Sequence, residues 1–306
     1  MNEYQTALRE KFVAGPFDLK GAIDLHVHSA PCLFPRMGDD LQVATMARDE
    51  GMRAIALKSH HENTVSRAYH TEMQVENIRI IGGIVLNQCT GGINPVAVET
   101  TLMMGGKIVW GPTGHSCYHG MVAGKFGVWG GPGRVLPGKE SEAITVLDSN
   151  GDLSGNAIEI LDLIKKYDAL FCTSHLSPDE IVKVVAYCKK IKAKVMVNHI
   201  YFFPRVGIDF AQEIVKQGAF IEMCSTLVIP SRHRKAYRYD YELLSETIKL
   251  VGADHCVMST DAGMLVGSLY PHEQFRMFGE RMQGYDISRN EVELMMCSNP
   301  AALVGL

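Results

Sequence analysis

Residues 22–29 read AIDLHVHS, a short β-rich apolar run that ends in polar residues and is followed by a helical pattern. Seven later stretches repeat this arrangement: RAIALKSHH from Arg53, IRIIGGIVLNQ from Ile78, GKIVWGPT from Gly106, ALFCTSH from Ala169, KVMVNHIYF from Lys194, AFIEMCST from Ala219 and CVMSTDAG from Cys256. Near-continuous apolar character, rather than strict alternation, is typical of parallel strands that are covered on both faces. Six of the seven intervals between run starts are 25 to 37 residues long, which fits one βα unit each.

The stretches between the runs have helical patterns, for example residues 156–167 and 177–191, the second with Ser177 as N-cap and Pro178 in its first turn. Eight such units predict a closed (β/α)8 barrel. An open doubly wound sheet is the alternative, but no glycine-rich phosphate-binding fingerprint follows the first run. We therefore predict an α/β protein with a TIM barrel, formed as one domain by all 306 residues, with a short N-terminal helical extension.

The remaining interval, of 63 residues, follows the fourth run and carries a glycine-rich insertion. Its first part, residues 120–138, reads GMVAGKFGVWGGPGRVLPG and predicts a mobile loop over one face of the barrel. Its second part, AITVLDSNGDLSG from Ala143, contains an Asn150-Gly151 pair, which is typical of a tight turn. We expect a small hairpin there.

Composition excludes several classes of protein. Hydrophobic residues make up 46% and charged residues 21% of the chain, which excludes a disordered or fibrous protein. The net charge of −4 provides no general attraction to nucleic acid or to acidic membranes. We find no signal peptide and no run near the roughly 18 apolar residues of a membrane span.

The eight cysteines occur singly, mostly within apolar runs (Cys89, Cys172, Cys224 and Cys256), which is typical of buried thiols in a reducing compartment. We expect a cytoplasmic protein; a homo-oligomer is among the open alternatives.

Metal-ligating residue types gather at the ends of the runs. His26 and His28 project to the same side of the first strand, because strand side chains alternate. His175, His199 and Asp261 end the fifth, sixth and eighth runs. In a barrel these carboxyl ends surround one mouth, where the catalytic groups of this fold lie. Four histidines and a carboxylate suit a divalent metal: zinc first, with manganese, iron or nickel as alternatives.

These motifs resemble those of the amidohydrolase superfamily: HxH in DLHVHS, histidines in CTSH and VNH, and an aspartate in STDAG, in the expected strand order. The terminal SNPAAL is similar to the helical end of that superfamily. The stretches HVHSAPCLFPR, LKSHHENT and GGINP resemble an uncharacterised branch of it. The resemblance implies a metal-dependent hydrolase whose metal-site residues are His26, His28, His175, His199 and Asp261.

One departure from the superfamily leaves the number of metal ions open. Binuclear members have a carboxylated lysine or a glutamate at the end of the fourth strand, where this chain has Gly111, Pro112 and Thr113. Either the site holds one ion, or a neighbouring strand supplies the bridge. Lys58 at the end of the second run is a candidate, because a lysine in an apolar strand is costly unless it is paired or modified. His60 and His61 follow it.

The implied reaction is hydrolysis of a small-molecule amide, cyclic amide or ester by a metal-activated water. We expect Asp261 to accept and return the proton, with His199 as a second acid/base group and Lys58 as a further catalytic candidate. Candidates for binding the substrate, which is anionic in one interpretation, are Arg36, His60, His115, Arg232 and Arg234.

Three other functions remain open. Relatives with a mononuclear ligand set of this kind include metal-dependent decarboxylases, which release carbon dioxide. DLHVHS followed by IALKSHH also resembles the opening motifs of the polymerase-and-histidinol-phosphatase group, which implies a phosphoesterase. A non-catalytic binding protein would bind metal without turnover.

Overall fold

The computed structural model describes residues 17–128, 135–229, 241–265 and 269–306. In these ranges parallel strands alternate with helices, as the eight runs predict. The strands are β1 (Ile23–Val27), β2 (Ala54–Leu57), β3 (Arg79–Ile81), β4 (Gly83–Val85), β5 (Ile108–Trp110), β6 (Leu170–Cys172), β7 (Lys194–Val197), β8 (Phe220–Cys224) and β9 (Cys256–Ser259). The helices are α1 (Asp40–Asp49), α2 (Val65–Gln74), α3 (Pro95–Met103), α4 (Cys117–Ala123), α5 (Gly155–Lys166), α6 (Pro178–Ile191), α7 (Ile208–Lys216), α8 (Tyr241–Val251), α9 (Pro271–Gln283), α10 (Arg289–Glu293) and α11 (Asn299–Val304).

The predicted barrel is confirmed, with one of its eight strands divided at Gly82. The hydrogen-bonded order is β1-β2-β3 and then β4 through β9, all parallel. A Cβ atom at Gly82 would lie 2.6 Å from the Cα atom of Val65, so α2 packs against this point at a distance that only glycine permits. The amide of Asp261 donates to His26 O and the amide of His28 donates to Ala262 O, each at 2.9 Å, which joins the end of β9 to β1.

Two layers of apolar side chains support the barrel. One fills its interior, where Leu25, Ala56, Trp110 and Met196 are fully buried. Residues of α11 belong to the same cluster as Ile23 and Leu170 at the strand starts, so this helix covers the amino-terminal end of the barrel. The other layer packs between the strands and the surrounding helices. The functional groups are thereby left to the opposite, carboxyl-terminal end.

The insertion follows β5 and begins with α4. In its second part the amide of Asp148 donates to Asp152 O, and Leu147 pairs with Leu153 in antiparallel fashion, so the predicted hairpin is confirmed. Gly151 has a φ of 80°, which suits the turn predicted at Asn150-Gly151. Residues 129–134 of the glycine-rich loop and the predicted N-terminal helical extension lie outside the described residues.

Other sequence expectations have mixed outcomes. Ser177 caps α6 in a capping box with Glu180, and Pro178 is the first helical residue, as predicted. Cys172, Cys224 and Cys256 are buried thiols, but Cys89 is exposed, because it lies in a 3-10 turn after β4 rather than in the strand. In the part of the chain that the structure describes, no helix is long and apolar enough to cross a membrane.

Candidate metal centre

The predicted ligands lie together at the carboxyl-terminal mouth of the barrel. His26 and His28 come from β1 and its end, and His175, His199 and Asp261 follow β6, β7 and β9. All five are buried or nearly so. His199 and Asp261 have positive φ angles of 31° and 50°, a strained backbone for residues other than glycine. Strain of this kind persists where the surrounding structure holds a side chain in a required direction.

The four imidazoles follow one another around the mouth in the order His28, His26, His199 and His175, and we call this set the histidine ring. The ring centroids of His26 and His28 are 5.4 Å apart, those of His26 and His199 5.8 Å, and those of His199 and His175 5.2 Å. Asp261 Oδ1 lies 3.1 Å from His26 Nε2 and 3.2 Å from His28 Nε2. The structure therefore brings all five predicted ligands to one place.

In two of these histidines a backbone carbonyl fixes the tautomer. His28 Nδ1 lies 2.9 Å from Lys58 O, and His199 Nδ1 lies 3.2 Å from Phe203 O. A carbonyl oxygen only accepts, so each Nδ1 must carry the proton and donate it. When the ring is neutral, Nε2 then has a free lone pair, which is the form in which histidine binds a metal.

The orientation of His175 is fixed by a second histidine, which lies outside the predicted ligand set. His119 of α4 stacks on His175, with their Nδ1 atoms 2.8 Å apart, and its Nε2 lies 3.3 Å from Val128 O. His119 must donate through Nε2 to that carbonyl, so its Nδ1 accepts a proton from His175. His175 Nε2 is thereby kept as an acceptor, and the glycine-rich loop is linked to a predicted ligand.

Glu222 of β8 holds the imidazole of His26 in its orientation, and the sequence analysis did not identify Glu222. Its carboxylate is fully buried and accepts from His26 Nδ1 at 3.1 Å. It also accepts from Asn198 Nδ2 at 2.9 Å, the amide of His199 at 3.1 Å and Ser259 Oγ at 2.6 Å. A carboxylate that orients a ligating histidine through its second nitrogen is a recurrent support of metal sites.

Electrostatics keep most of the ring neutral. Burial lowers the pKa of His28 to about 3 and that of His199 to about 4. Burial and the ammonium of Lys58 also act to lower the pKa of His26, but the carboxylates of Glu222 and Asp261 outweigh them and raise it to about 9. Burial disfavours the charged form of Asp261, yet the charge and hydrogen bond of His26 hold the pKa of this carboxyl well below its usual range.

The donor set fits a divalent cation. Neutral His28 directs a lone pair at an ionised Asp261 oxygen only 3.2 Å away, and two acceptors at that distance repel each other. A cation bound by both atoms removes the repulsion. His26, His28 and Asp261 together meet the geometric requirement for a three-ligand site, and nitrogen and oxygen ligands of this kind suit zinc and its neighbours.

A deeper grouping of His26, Glu222 and Cys224 has suitable distances but unsuitable chemistry. Burial and the carboxylate of Glu222 raise the pKa of the Cys224 thiol well above its usual range. The thiolate is the form that binds metals, and here it is disfavoured. Glu222 is also occupied by its four donors.

Lys58 is buried beside these ligands. Its Nζ lies 3.0 Å from His26 Nε2 and 5.7 Å from the centroid of the Trp110 ring. No carboxylate of the described residues lies within 4.0 Å of Nζ, so the alternative of a simple buried ion pair is not supported. Burial lowers the pKa of Lys58. Its predicted catalytic role stays a prediction.

The predicted substrate residues lie in different places. His60 stacks on His28 at 4.7 Å and is hydrogen-bonded to Thr113 Oγ1, so it borders the ring. His115 lies under the glycine-rich loop instead, where it accepts from the amide of Gln88 and stacks on Phe126; its contact with substrate stays a prediction. Arg36 lies in the loop after β1. Arg232 and Arg234 lie outside the described residues.

Comparisons with known proteins agree with this fold. A model for a family of unknown function, DUF6282, matches residues 21–222. No curated protein matches the sequence at a significant level.

Similar solved structures include the probable dipeptidase PvdM from Pseudomonas aeruginosa, with 12% identity, a TM-score of 0.60 and 98% of each chain covered. An amidohydrolase from Pseudomonas aeruginosa has 14% identity, a TM-score of 0.57 and full coverage of both chains. A 2,6-dihydroxybenzoate decarboxylase complexed with 2,6-dihydroxybenzoate has 11% identity and a TM-score of 0.55, with 94% of this chain and 100% of that chain covered. At these identities the likeness is one of fold, and the resemblance to the amidohydrolase superfamily is confirmed at that level.

Proposed function

Since the chain belongs to the DUF6282 family, whose activity is unknown, we propose from the geometry of the site that it is a metal-dependent hydrolase of a small-molecule amide, cyclic amide or ester. The observation that carries the proposal is the orientation of the four histidines. Each Nδ1 is held by His119, Glu222 or a backbone carbonyl, so each Nε2 is the nitrogen left to bind a metal, that of His26 once it releases its proton. Support of every ligand in this way is a property of metal sites.

The residues that would hold a metal are His26, His28, His175 and Asp261, with His199 beside them. Zinc suits this set best, and manganese, iron and nickel are the alternatives. A bound divalent ion would supply an acidified water and would polarise the bond under attack. A second ion needs a further bridging ligand, and the candidate is Lys58, whose Nζ lies 3.0 Å from His26 Nε2.

The chain's own residues provide the proton transfers. Asp261 is ionised and its Oδ2 accepts from Thr226 Oγ1 at 3.3 Å, so its other oxygen faces the histidines. We assign to Asp261 the acceptance of the proton from water and its return to the leaving group. His199 is neutral and tethered through Nδ1, which leaves Nε2 to accept a second proton or, once protonated, to donate a hydrogen bond to the substrate.

The test combines metal content with turnover. We expect elemental analysis of protein purified without chelator to give about one or two divalent ions per chain. We expect Asp261→Asn to lose turnover of an active ester, lactone or lactam by at least about a hundredfold. Glu213→Gln, on the exposed face of α7, is the matched control.

Absence of metal after incubation with zinc or manganese, or full turnover by Asp261→Asn, would contradict the proposal. Metal binding without hydrolysis, together with release of carbon dioxide from a carboxylated substrate, would replace it with decarboxylation.

A further inference from the structure

Arg36 lies in the loop between β1 and α1, and the structure fixes this loop against the mouth of the barrel. The amide of Met37 donates to Gly263 O at 3.0 Å and the amide of Leu265 donates to Pro35 O at 3.1 Å, so the backbone on both sides of Arg36 is bonded to the segment after β9. A Cβ atom at Gly263 would lie 1.8 Å from His28 O. The loop is therefore packed directly against the predicted ligands.

The guanidinium of Arg36, a half-buried side chain, has poor hydrogen-bond partners among the described residues. Its Nε donates to Cys32 Sγ at 3.1 Å and its Nη1 donates to Met264 Sδ at 3.2 Å. Thiol and thioether sulfurs are weak acceptors. No carboxylate of the described residues lies within 4.0 Å, and Nη2 has no acceptor among them. Most of the donor capacity of a guanidinium is thus unused.

A neighbouring arginine shows that the fold can pair such a group fully. Arg67 donates from Nη2 to Asp40 Oδ1 and from Nη1 to Glu62 Oε1, each at 2.6 Å. Ser29, in the same loop region, accepts from it too. Arg36 is half-buried and, among the described residues, has two sulfur acceptors and no acid, so it has unused donors that an anion at the mouth of the barrel could satisfy.

The unpaired charge acts on the metal centre. The guanidinium of Arg36 is, after burial, the largest influence that lowers the pKa of His28, and it contributes to the lowered pKa of His60. The Arg36 guanidinium also lies 5.8 Å from the centroid of the Phe34 ring, which contacts His60 edge to face. A ligand at the histidine ring therefore lies within the field of Arg36 and beside an aromatic wall.

We propose that Arg36 binds a carboxylate of the substrate, so that the reacting bond of a carboxylate-bearing molecule is held at the histidine ring. The planar fork of a guanidinium matches a carboxylate with two parallel hydrogen bonds. A single cation neutralises a single negative charge, which favours a carboxylate over a dianionic phosphate. The assignment rests on the proposed function, because it places the rest of the substrate at the metal centre.

The test uses the purified metal-loaded protein and two planar probes, benzoate and its uncharged isostere benzamide, with inorganic phosphate as a competitor. Calorimetric titration, or ligand-observed NMR for weak binding, compares wild type with Arg36→Met and Arg36→Lys. Arg53→Met is the matched control, because Arg53 is exposed at the start of β2, at the other end of the barrel. Metal content and thermal unfolding are measured for every variant.

We expect Arg36→Met to weaken benzoate binding by about ten- to a hundredfold, the loss that removal of a charge-assisted pair produces, and to leave benzamide binding unchanged. Arg36→Lys should restore part of the affinity, because it keeps the charge but not the fork. Arg53→Met should bind like wild type.

Each other outcome has a definite meaning. Benzoate binding that is lost on chelation but unaffected by Arg36→Met overturns the carboxylate site and leaves the metal centre intact. Binding that depends on Arg36 in a protein that takes up no metal supports the site and removes the proposed hydrolase. No benzoate binding to wild type, or displacement of benzoate by phosphate at lower concentration, overturns the proposal.

Discussion

Replacement of Glu222 by glutamine tests the strongest claim about the site, that a buried carboxylate holds His26 in its ligating form. The carboxylate accepts from Ser259 through Oε1, from Asn198 and the His199 amide through Oε2, and from His26 Nδ1 through both oxygens, at 3.1 and 3.2 Å. Glutamine has one acceptor oxygen and one donor NH2 group. With the NH2 group at the Oε1 position, the Ser259 hydroxyl can turn to become an acceptor, but His26 keeps only the longer of its two contacts and the negative charge is lost. With the NH2 group at the Oε2 position, it faces the Asn198 and His199 donors.

The expected magnitude follows from two opposed effects. Loss of a hydrogen bond to a charged group costs about 1.5–3 kcal/mol, and loss of such a support typically weakens metal binding about 10–100-fold. However, Glu222 together with Asp261 raises the pKa of His26 to about 9, so at pH 7 a proton competes with the metal at a cost of about two decades of affinity. Glu222→Gln removes part of this competition. We therefore expect a loss of about 10–100-fold at pH 9 that becomes small near pH 7.

The assay is zinc affinity by competition with a chelator of known affinity, measured at several pH values between 6 and 9. For wild type, log affinity should rise by about one unit per pH unit over this range. For Glu222→Gln the slope should be lower. Glu213→Gln, on an exposed face of α7, is the control for loss of a carboxylate and should follow wild type.

A structural role alone would give a different result. If Glu222 only supported the fold, the variant would unfold at a lower temperature, and its affinity would fall by the same factor at every pH. A pH-independent deficit, or equal affinities of variant and wild type at pH 9, would refute the reasoning.

Three further predictions follow from the same geometry. Zinc added to the metal-free protein at pH 6 should release about one proton per ion, and this proton comes from His26. His28 and His199 are already neutral at this pH, and a zinc-bound water ionises only near pH 7. Release of two or more protons in a potentiometric titration would contradict the pKa assignments. The metal-free protein should lose stability as pH falls below about 6.5, because the unfolded chain takes up protons that neutral His28, His60, His175 and His199 refuse, at about 1.4 kcal/mol per pH unit for each. Burial raises the pKa of Asp24 to about 7, which opposes this loss with a single contribution of the same size. Urea unfolding at pH 5 and 6.5 measures the net loss, and a flat profile would count against it. His119→Phe should keep the stacking on Phe203 but leave the Nδ1 proton of His175 without an acceptor. Zinc affinity should therefore fall about tenfold in the same competition assay. An unchanged affinity would show that His119 does not support His175.

Much of the site could be predicted because it depends on local order along the chain. His26 and His28 share a side of β1 through strand alternation, and His175, His199 and Asp261 end strands that a barrel brings to one mouth. The same argument placed Lys58 beside them. Glu222 was missed although it gave the same signal as Lys58, a charged residue inside an apolar run, AFIEMCST. If the cost of burying a charge had been considered for every apolar run, it would have identified Glu222 as well as Lys58.

The sequence by itself determined the eight βα units and the set of ligating residue types, since periodicity and strand ends are properties of neighbouring residues. Only the tertiary structure decided which nitrogen of each histidine is free. His119 comes from the insertion, Glu222 from β8 and the Lys58 carbonyl from the end of β2, and no spacing along the chain relates these three to their partners. The Phe203 carbonyl alone is local, four residues after His199. The partners of Arg36 were likewise decided by packing, because the absence of a carboxylate within 4.0 Å of its guanidinium among the described residues depends on the segments that fold around it.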